Sequence, residues 1–338
     1  MRPTTEPSGD PTVACKLCGC DAHFVGVRRG ASRPVDFRFH CCPNCFFVFV
    51  ANPISDRALL YDDAYYRGQG ADPLVDYVFE LEHREDTIRQ MEWQGVLRAV
   101  QSKVRLTKDS WWLDYGCGGG GLVRYCASKA GCHVLGVEDG WISEQARAAG
   151  IPVLGERELE DWEGRFGVVT AIEVLEHVER PLQTLSRIRR LLKPGGLFFY
   201  TTGNARPHRN RLLRWPYAIP EIHVSLFEPR TLELALSMAG FRPEYAGFLR
   251  GYEKIIAFKI FEEPEGAPPV EASPLATLVL DFASGGHPLR RHRPSGRMGR
   301  LGSPTSPFAP VCGRASSVRC PGFWLPGFCC LLPQRARA

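Results

Sequence analysis

The run Leu113-Asp114-Tyr115-Gly116-Cys117-Gly118-Gly119-Gly120-Gly121 constrains this chain more than any other stretch. It follows Trp111-Trp112 and leads into Leu122-Val123-Arg124-Tyr125-Cys126-Ala127, a pattern that predicts a buried strand turning through glycines into a helix. Residues without Cβ let the backbone approach a ligand closely, and the first N–H groups of the helix have no partner within it. Such a turn predicts a nucleotide site in an α/β fold.

Two readings fit the loop. Gly116-x-Gly118-x-x-Gly121 matches the dinucleotide fingerprint of NAD-dependent oxidoreductases, a pattern that any glycine run satisfies easily. Asp114-x-Gly116-x-Gly118-x-Gly120, with an acid two places before the first glycine, resembles motif I of the class I S-adenosylmethionine-dependent methyltransferases. Downstream residues separate the two. The segment Cys132 to Glu138 reads as a second strand ending on an acid, beside the first loop in a doubly wound sheet, where a carboxylate accepts both hydroxyls of a ribose. Glu138 is the candidate, and its neighbour Asp139 could substitute. The strand Phe166 to Ile172 ends in Glu173-Val174-Leu175-Glu176-His177-Val178, which resembles the E-V-L-E-H-V signature of small-molecule methyltransferases of this class. Lys193-Pro194-Gly195-Gly196, before a strand at Leu197 to Thr202, is a further family mark.

The resemblance covers about residues 12 to 262. It implies a doubly wound, seven-stranded Rossmann-like methyltransferase sheet, completed by a hairpin of Pro243 to Leu249 and Lys254 to Ile260, with S-adenosylmethionine as cofactor. Asp114, Gly116, Gly118, Gly120 and Glu138 would hold that cofactor. Glu173 would meet its amino-acid end or the acceptor, and Leu159 and Glu160 stand where family members cover the adenine.

Upstream, Cys15-x-x-Cys18 and Cys42-x-x-Cys45 are separated by 23 residues. Each pair can wrap one metal ion, and four thiolates make the closed tetrahedron of a structural zinc site. Cys20 and Cys41 are spares, Cys41 giving the wrong spacing. Strand-like alternation in Phe24 to Val27 and Asp36 to His40, with Phe46 to Val50 continuing the sheet, suits a zinc ribbon. The expected division is a ribbon over 12–52, a connector and helical lid over 53–104, the catalytic domain over 105–263 and a disordered, low-complexity tail over 264–338. In the connector, Tyr65 and Tyr66 are lid candidates, because similar tyrosine-bearing segments fold over the cofactor in sugar- and glycan-cluster enzymes. A helix over 84–104 would bury Ile88, Met91, Leu97, Val100 and Val104.

Charge bounds the partners. The net charge is +5, but residues 266–338 carry nine Arg, no Lys and two acids, which leaves the remainder with 33 basic and 35 acidic residues. A folded region near neutrality lacks the broad basic footprint that nucleic-acid binding needs. No apolar run approaches ~18 residues and no export signal is evident, so a cytoplasmic, non-membrane protein is expected, with its 13 cysteines reduced or metal-bound. An arginine-rich loop from Gly203 to Ile222, with Arg206, Arg209, Arg211 and Arg214, follows the fifth strand and could hold an anionic acceptor.

Methyl transfer from a sulfonium requires chiefly that acceptor and methyl be held in line. A hydroxyl acceptor must also lose a proton, for which His177 is the leading candidate with Glu173 as partner and His223 as the other histidine. The expected activity is methylation of a hydroxyl on a sugar, glycan or related metabolite. An RNA methyltransferase gripping its substrate with the ribbon, an NAD-dependent oxidoreductase and a non-catalytic adenosyl-binding protein are the alternatives.

Overall fold

The computed structural model describes residues 12–72, 76–85, 87–245 and 328–333. Four short strands open it: β1 (Val13–Ala14), β2 (Asp21–Arg29), β3 (Asp36–Cys41) and β4 (Val48–Val50), each antiparallel to the next. Alternation along β3 buries Phe37 and Phe39 completely. β4 starts later than the run from Phe46 suggests. The Phe46 N–H donates to the Cys42 carbonyl at 2.8 Å, and Phe46 then turns into the left-handed region at φ 59° so that the Phe47 carbonyl accepts from the Cys42 N–H at 2.9 Å, closing the second cysteine turn.

Two helices follow, α1 (Tyr77–Glu82) and α2 (Arg89–Lys103). The helix expected over 84–104 therefore begins at Arg89, whose N–H donates to the Thr87 hydroxyl at 3.2 Å. Its inner face carries Trp93, Val96, Leu97 and Val100, while Ile88, Met91 and Val104 are only half-buried.

The remaining elements are β5 (Trp111–Tyr115), α3 (Gly121–Lys129), β6 (His133–Val137), α4 (Trp141–Ala148), β7 (Val153–Leu154), β8 (Phe166–Ile172), α5 (Pro181–Leu191), β9 (Leu192–Thr201), β10 (Ser225–Leu226), α6 (Pro229–Met238), β11 (Phe241–Tyr245) and β12 (Phe328–Pro333). Pro181 and Pro229 open α5 and α6, where a missing N–H costs nothing and the fixed φ already suits a helix. β9 runs five residues ahead of Leu197, because Leu192 pairs with Phe166 before the register shifts.

Seven of these strands form one sheet in the order β11-β12-β9-β8-β5-β6-β7. β5 to β9 are mutually parallel, and β12 is antiparallel to both β9 and β11. This is the doubly wound sheet with one correction. The strand between β9 and β11 comes from 328–333, inside the segment expected to be disordered. The proposed second hairpin strand, 254–260, lies outside the described residues.

Both sheet faces are covered, as a parallel sheet requires. Leu113, Val169, Phe198 and Tyr200 pack on one side with Leu185, Ile188, Leu232 and Leu236. Trp112, Val134, Val168 and Phe199 pack on the other with Val96, Val100, Leu122 and Val123. Alternate residues of the same strands serve opposite layers. The strand order reverses between β5 and β8, and ligands of open α/β sheets bind at the carboxyl ends of strands at such a point.

The cysteine-bearing sheet does not end at β4. β10 adds to it as a fifth strand, with Ser225 opposite Phe49 and Leu226 opposite Val48. The Thr231 hydroxyl donates to the Cys45 carbonyl at 2.7 Å, and the Phe47 and Phe227 rings lie 5.2 Å apart.

Candidate functional site

The glycine loop leaves β5 at the switch point, and its shape depends on three left-handed residues: Gly116 (φ 73°), Gly118 (φ 52°) and Gly120 (φ 74°). A side chain is excluded twice over, since a Cβ on Gly116 would lie 2.8 Å from Val174, on Gly118 2.5 Å from Tyr77, and on Gly120 2.7 Å from Ile151. The N–H groups of Gly116 and Cys117 both donate to the Val137 carbonyl, which ties the loop to the end of β6. Glu138, one residue further, accepts from the Gly118 N–H at 2.9 Å and from the Asp139 N–H at 3.1 Å. Burial raises its carboxyl above the ordinary range even so.

Asp114 is 4% exposed and accepts from the Thr170 hydroxyl at 2.8 Å. Thr170 in turn accepts from the indole N–H of Trp112 at 3.0 Å. Desolvation pushes the Asp114 carboxyl up to about 7, only partly offset by Thr170 and the charge of Arg89. A carboxyl whose folded pKa lies above its unfolded value binds protons more tightly when folded. Its contribution to stability is therefore intact below about pH 4 and is lost as pH rises through 7. Relative to Asp114→Asn, the wild type should lose up to ~4 kcal/mol of unfolding free energy between pH 4 and pH 8. Paired denaturant titrations at several pH values measure this difference, and parallel pH profiles would refute it.

An aromatic cluster covers the loop. The Tyr77 ring lies against Gly118, and the Tyr66 ring is 5.7 Å from Tyr77 and stacked at 6.2 Å on Trp141. Tyr65 and Tyr66 are buried in a short π-helical turn, Tyr65–Gln69, and Tyr61 packs edge-on to Tyr65 at 5.0 Å. Beside them a small cavity is walled by Tyr77, Arg89, Trp93, Asp114, Gly116 and Ile172. Arg89 is held there by Glu92 at 2.6 Å and Glu80 at 3.5 Å.

Across the strand ends from the glycine loop lies a second polar group. Glu173 follows β8 with φ 54°, and its N–H donates to the Thr201 carbonyl at 3.1 Å. The Tyr217 hydroxyl stands between two carboxylates, 2.5 Å from Glu176 and 3.0 Å from Glu173. Thr202 donates to the other Glu176 oxygen at 2.7 Å. Burial, then the charge of Glu173, pushes the Glu176 carboxyl up to about 8. His177 and His223 are ring neighbours at 4.8 Å. The Tyr61 hydroxyl meets His177 Nδ1 at 3.0 Å, and His223 Nδ1 donates to the Tyr217 carbonyl.

In the N-terminal sheet the thiols of Cys15, Cys18, Cys42 and Cys45 converge, all within 4.8 Å of one another. The sulfur separations of 3.5 to 3.6 Å for Cys15–Cys45, Cys18–Cys42 and Cys18–Cys45 are close to the ~3.8 Å edge of a tetrahedron with 2.3 Å zinc–sulfur bonds. A donor set of four thiolates fits zinc and leaves no position open for chemistry. The contact between Cys15 and Cys45 favours one thiolate shared by the pair, lowering the Cys15 thiol and raising that of Cys45. Cys20 is exposed and Cys41 half-buried, both outside the cluster.

The fold thus gathers Asp114, Gly116, Gly118, Gly120 and Glu138 at the ends of β5 and β6, and Glu173, His177 and His223 in a second group beyond the end of β8. Leu159 and Glu160 go elsewhere. Leu159 is 1% exposed inside the core and Glu160 faces solvent, because the 3-10 turn Glu156–Trp162 directs its apolar side inward. Sequence reasoning passed over Tyr77, Tyr61 and Tyr217 as parts of the site. Tyr217 offered only the aromatic interleaving of the arginine-rich loop, and Tyr77 no local signal. In that loop Arg209 pairs with Glu228 and lies over the Phe46 ring at 4.3 Å, while Arg206, Arg211 and Arg214 are exposed.

Residues 82–246 match the family described as "Methyltransferase domain". The ubiquinone biosynthesis O-methyltransferase of Methylococcus capsulatus is 40% identical over 102 residues, which is 27% of this chain and 43% of that protein. The protein of the same name from Pseudomonas aeruginosa is 38% identical over 105 residues, 28% of this chain and 45% of its own. The chain thus spans under half the length of these curated relatives. An S-adenosylmethionine-dependent methyltransferase of Archaeoglobus fulgidus aligns over 61% of this chain and 90% of its own, at 18% identity and a TM-score of 0.40. Among the described residues no helix is long and apolar enough to cross a membrane. The parallel sheet, the Asp114 glycine loop at its switch point and the matched family together make residues 82–246 a class I S-adenosylmethionine-dependent methyltransferase domain.

Proposed function

We propose that the protein transfers the methyl group of S-adenosylmethionine to a hydroxyl of a small molecule, a sugar, glycan unit or related metabolite. The observation that carries this reading is the glycine loop at the switch point, with Glu138 at the end of the next strand accepting from the Gly118 N–H. Carboxylates and imidazoles gather after β8 and before β10, joined to that loop by the rings of Tyr61, Tyr65, Tyr66 and Tyr77.

In the proposed complex Glu138 exchanges the Gly118 N–H for the ribose hydroxyls, and the loop from Asp114 to Gly120 meets the methionyl end. Tyr65 and Tyr66, with Tyr61 and Tyr77, close over the bound nucleoside and exclude water. The departing sulfur is already a good leaving group, so alignment does most of the work. The acceptor enters from the side of Glu173, His177 and His223, one of which takes its proton as the oxygen attacks. That the relatives named above are O-methyltransferases of ubiquinone biosynthesis supports a hydroxyl acceptor. Arg206, Arg211 and Arg214, exposed beside that entrance in sequence, suit an anionic acceptor. The four-cysteine cluster is proposed to hold one structural zinc ion.

Calorimetry with S-adenosylmethionine and with NAD tests the cofactor, and heat is expected only with the first. A screen for S-adenosylhomocysteine release with nucleotide sugars, catechol-type quinone precursors and RNA then tests the acceptor. Turnover confined to RNA would overturn the small-molecule reading.

A further inference from the structure

We infer that Arg28 and Ser32, on the hairpin that joins β2 and β3, are positioning residues for the acceptor site: they hold the segment 215–221 at both ends and so set the Tyr217 hydroxyl between Glu173 and Glu176. The assignment rests on the methyl-transfer reading for the chemical role of that site. The hairpin belongs to the four-cysteine sheet, whereas the segment belongs to the methyltransferase domain. Arg28 and Trp215, which meet here, are 187 positions apart in the chain.

Trp215-Pro216-Tyr217-Ala218 is a four-residue turn in which the Ala218 N–H donates to the Trp215 carbonyl at 3.0 Å. Proline in its second place presets φ for such a turn and leaves Tyr217 in the third. The Arg28 guanidinium donates to the same Trp215 carbonyl from Nη1 at 2.6 Å, so one oxygen carries both the turn's own bond and the bond from the hairpin. At the other end the Glu221 carboxylate, fully buried, accepts from the Ser32 N–H at 2.9 Å and from the Ser32 hydroxyl at 3.4 Å. Gly30 permits that approach, since a Cβ there would lie 2.7 Å from Glu221 Oε1. Leu213, just ahead of the turn, packs on Gly26 of the same hairpin, where a Cβ would come within 2.5 Å of it.

Tyr217 carries these constraints into the site. Its ring lies against Gly203, where a Cβ would be 2.2 Å away, and its oxygen accepts from the Gly203 N–H at 2.9 Å. A hydroxyl has one proton to give, while two carboxylates stand within reach, Glu176 at 2.5 Å and Glu173 at 3.0 Å. The place of the ring therefore decides which carboxylate receives that proton and which is left to accept one from the substrate. The backbone carbonyl of the same residue holds His223. Displacing the turn would move the hydroxyl and the imidazole together, and a polar network of this kind specifies one geometry only while each member is held. Arg28, half-buried, supplies a charge-assisted bond to the turn.

The test uses the full chain carrying 3-fluorotyrosine at its 10 tyrosines, with the Tyr217 line in the fluorine-19 NMR spectrum identified by its loss in Tyr217→Phe. Arg28→Met should shift and broaden this line, and Arg28→Lys should shift it less. Arg29→Met, at an exposed residue of the same strand, should leave it in place. The remaining tyrosine lines report whether each variant is folded, and if Arg28→Met is not, Arg28→Lys carries the test. An unmoved Tyr217 line in a folded Arg28 variant would overturn the assignment. This measurement needs neither cofactor nor acceptor, so its failure is distinct from a failure of the methyl-transfer reading, which the S-adenosylhomocysteine screen decides. With the acceptor found in that screen, Arg28→Met should lower kcat about tenfold, as expected for one lost charge-assisted hydrogen bond. Affinity for S-adenosylmethionine should stay within about twofold, because the glycine loop shares no partner with the hairpin. In a Tyr217→Phe background the Arg28→Met loss should vanish, whereas additive losses would show that Arg28 does not act through Tyr217 and would overturn its positioning role.

Discussion

Replacing Glu138 with Ala is expected to weaken S-adenosylmethionine binding at least 100-fold while leaving the fold intact. The carboxylate is already held beside the glycine loop by the N–H groups of Gly118 and Asp139, so little further order has to be imposed when a ribose replaces them. Two charge-assisted hydrogen bonds are then lost in the variant, each contributing roughly 1.5–3 kcal/mol. At ~1.4 kcal/mol per tenfold change, their sum lies at or above the 100-fold mark. The structural cost is small, because the Gly118 N–H loses one hydrogen-bond partner and no core side chain is removed. Gly118→Val should abolish binding for a different reason: the residue sits at φ 52° and its Cβ would run into the Tyr77 ring. Calorimetric titration of both variants reads the effect directly. Wild-type affinity in Glu138→Ala would remove the ribose assignment and with it the orientation proposed for the cofactor.

The second large effect is expected at the cysteines. The purified protein should contain one zinc ion, and removing it with a chelator or by Cys45→Ser should lower the melting temperature by roughly 10 °C or more, since zinc and folding free energy are inseparable in such sites. The damage should not stop at the ribbon. β4 is paired with β10, the Val50 N–H donates to the Val224 carbonyl, and Thr231 donates to the Cys45 carbonyl. His223 immediately precedes this paired segment, so loss of a metal from the four-cysteine sheet should loosen one side of the proposed acceptor site. Cofactor binding should be affected less, because the loop from Asp114 to Gly120 is anchored on β6. Cys20→Ser is the control: an exposed thiol outside the cluster should alter neither zinc content nor melting temperature. Elemental analysis beside thermal unfolding separates the cases, and a full-length protein with no metal and an unchanged melting temperature in Cys45→Ser would remove the structural-zinc proposal.

Local chemistry explains why some of this architecture was legible in the residues. The glycine loop could be read because positive φ and close packing permit no other residue at Gly116, Gly118 and Gly120. The sheet order from β7 to β9 followed because apolar runs alternate with helical periodicity, a pattern that admits few connections. The place of Glu138 just past β6, beside the glycine loop, was reachable because a short βαβ unit fixes where its second strand must end. The orientation of Leu159 and Glu160 was not legible for the converse reason. Position in a sequence of elements says roughly where a turn lies, but the choice between core and cleft is made by the rotation of that turn.

Sequence alone determined the class of sheet, the switch-point loop, the acid that ends the second strand and the spacing of the four cysteines, because each depends on backbone conformation or on neighbours a few residues away. Tertiary structure decided that the cysteine sheet takes β10 as its fifth strand, that Phe328–Pro333 fills the place beside β9, that Tyr77 lies over Gly118, and that His223 meets Glu176 and His177. Those contacts join segments far apart in the chain, and their cost in chain entropy is offset only when many surfaces are buried together. A pairing of that kind has no local signature, since the residues that make it become neighbours only once the two layers of the core have closed.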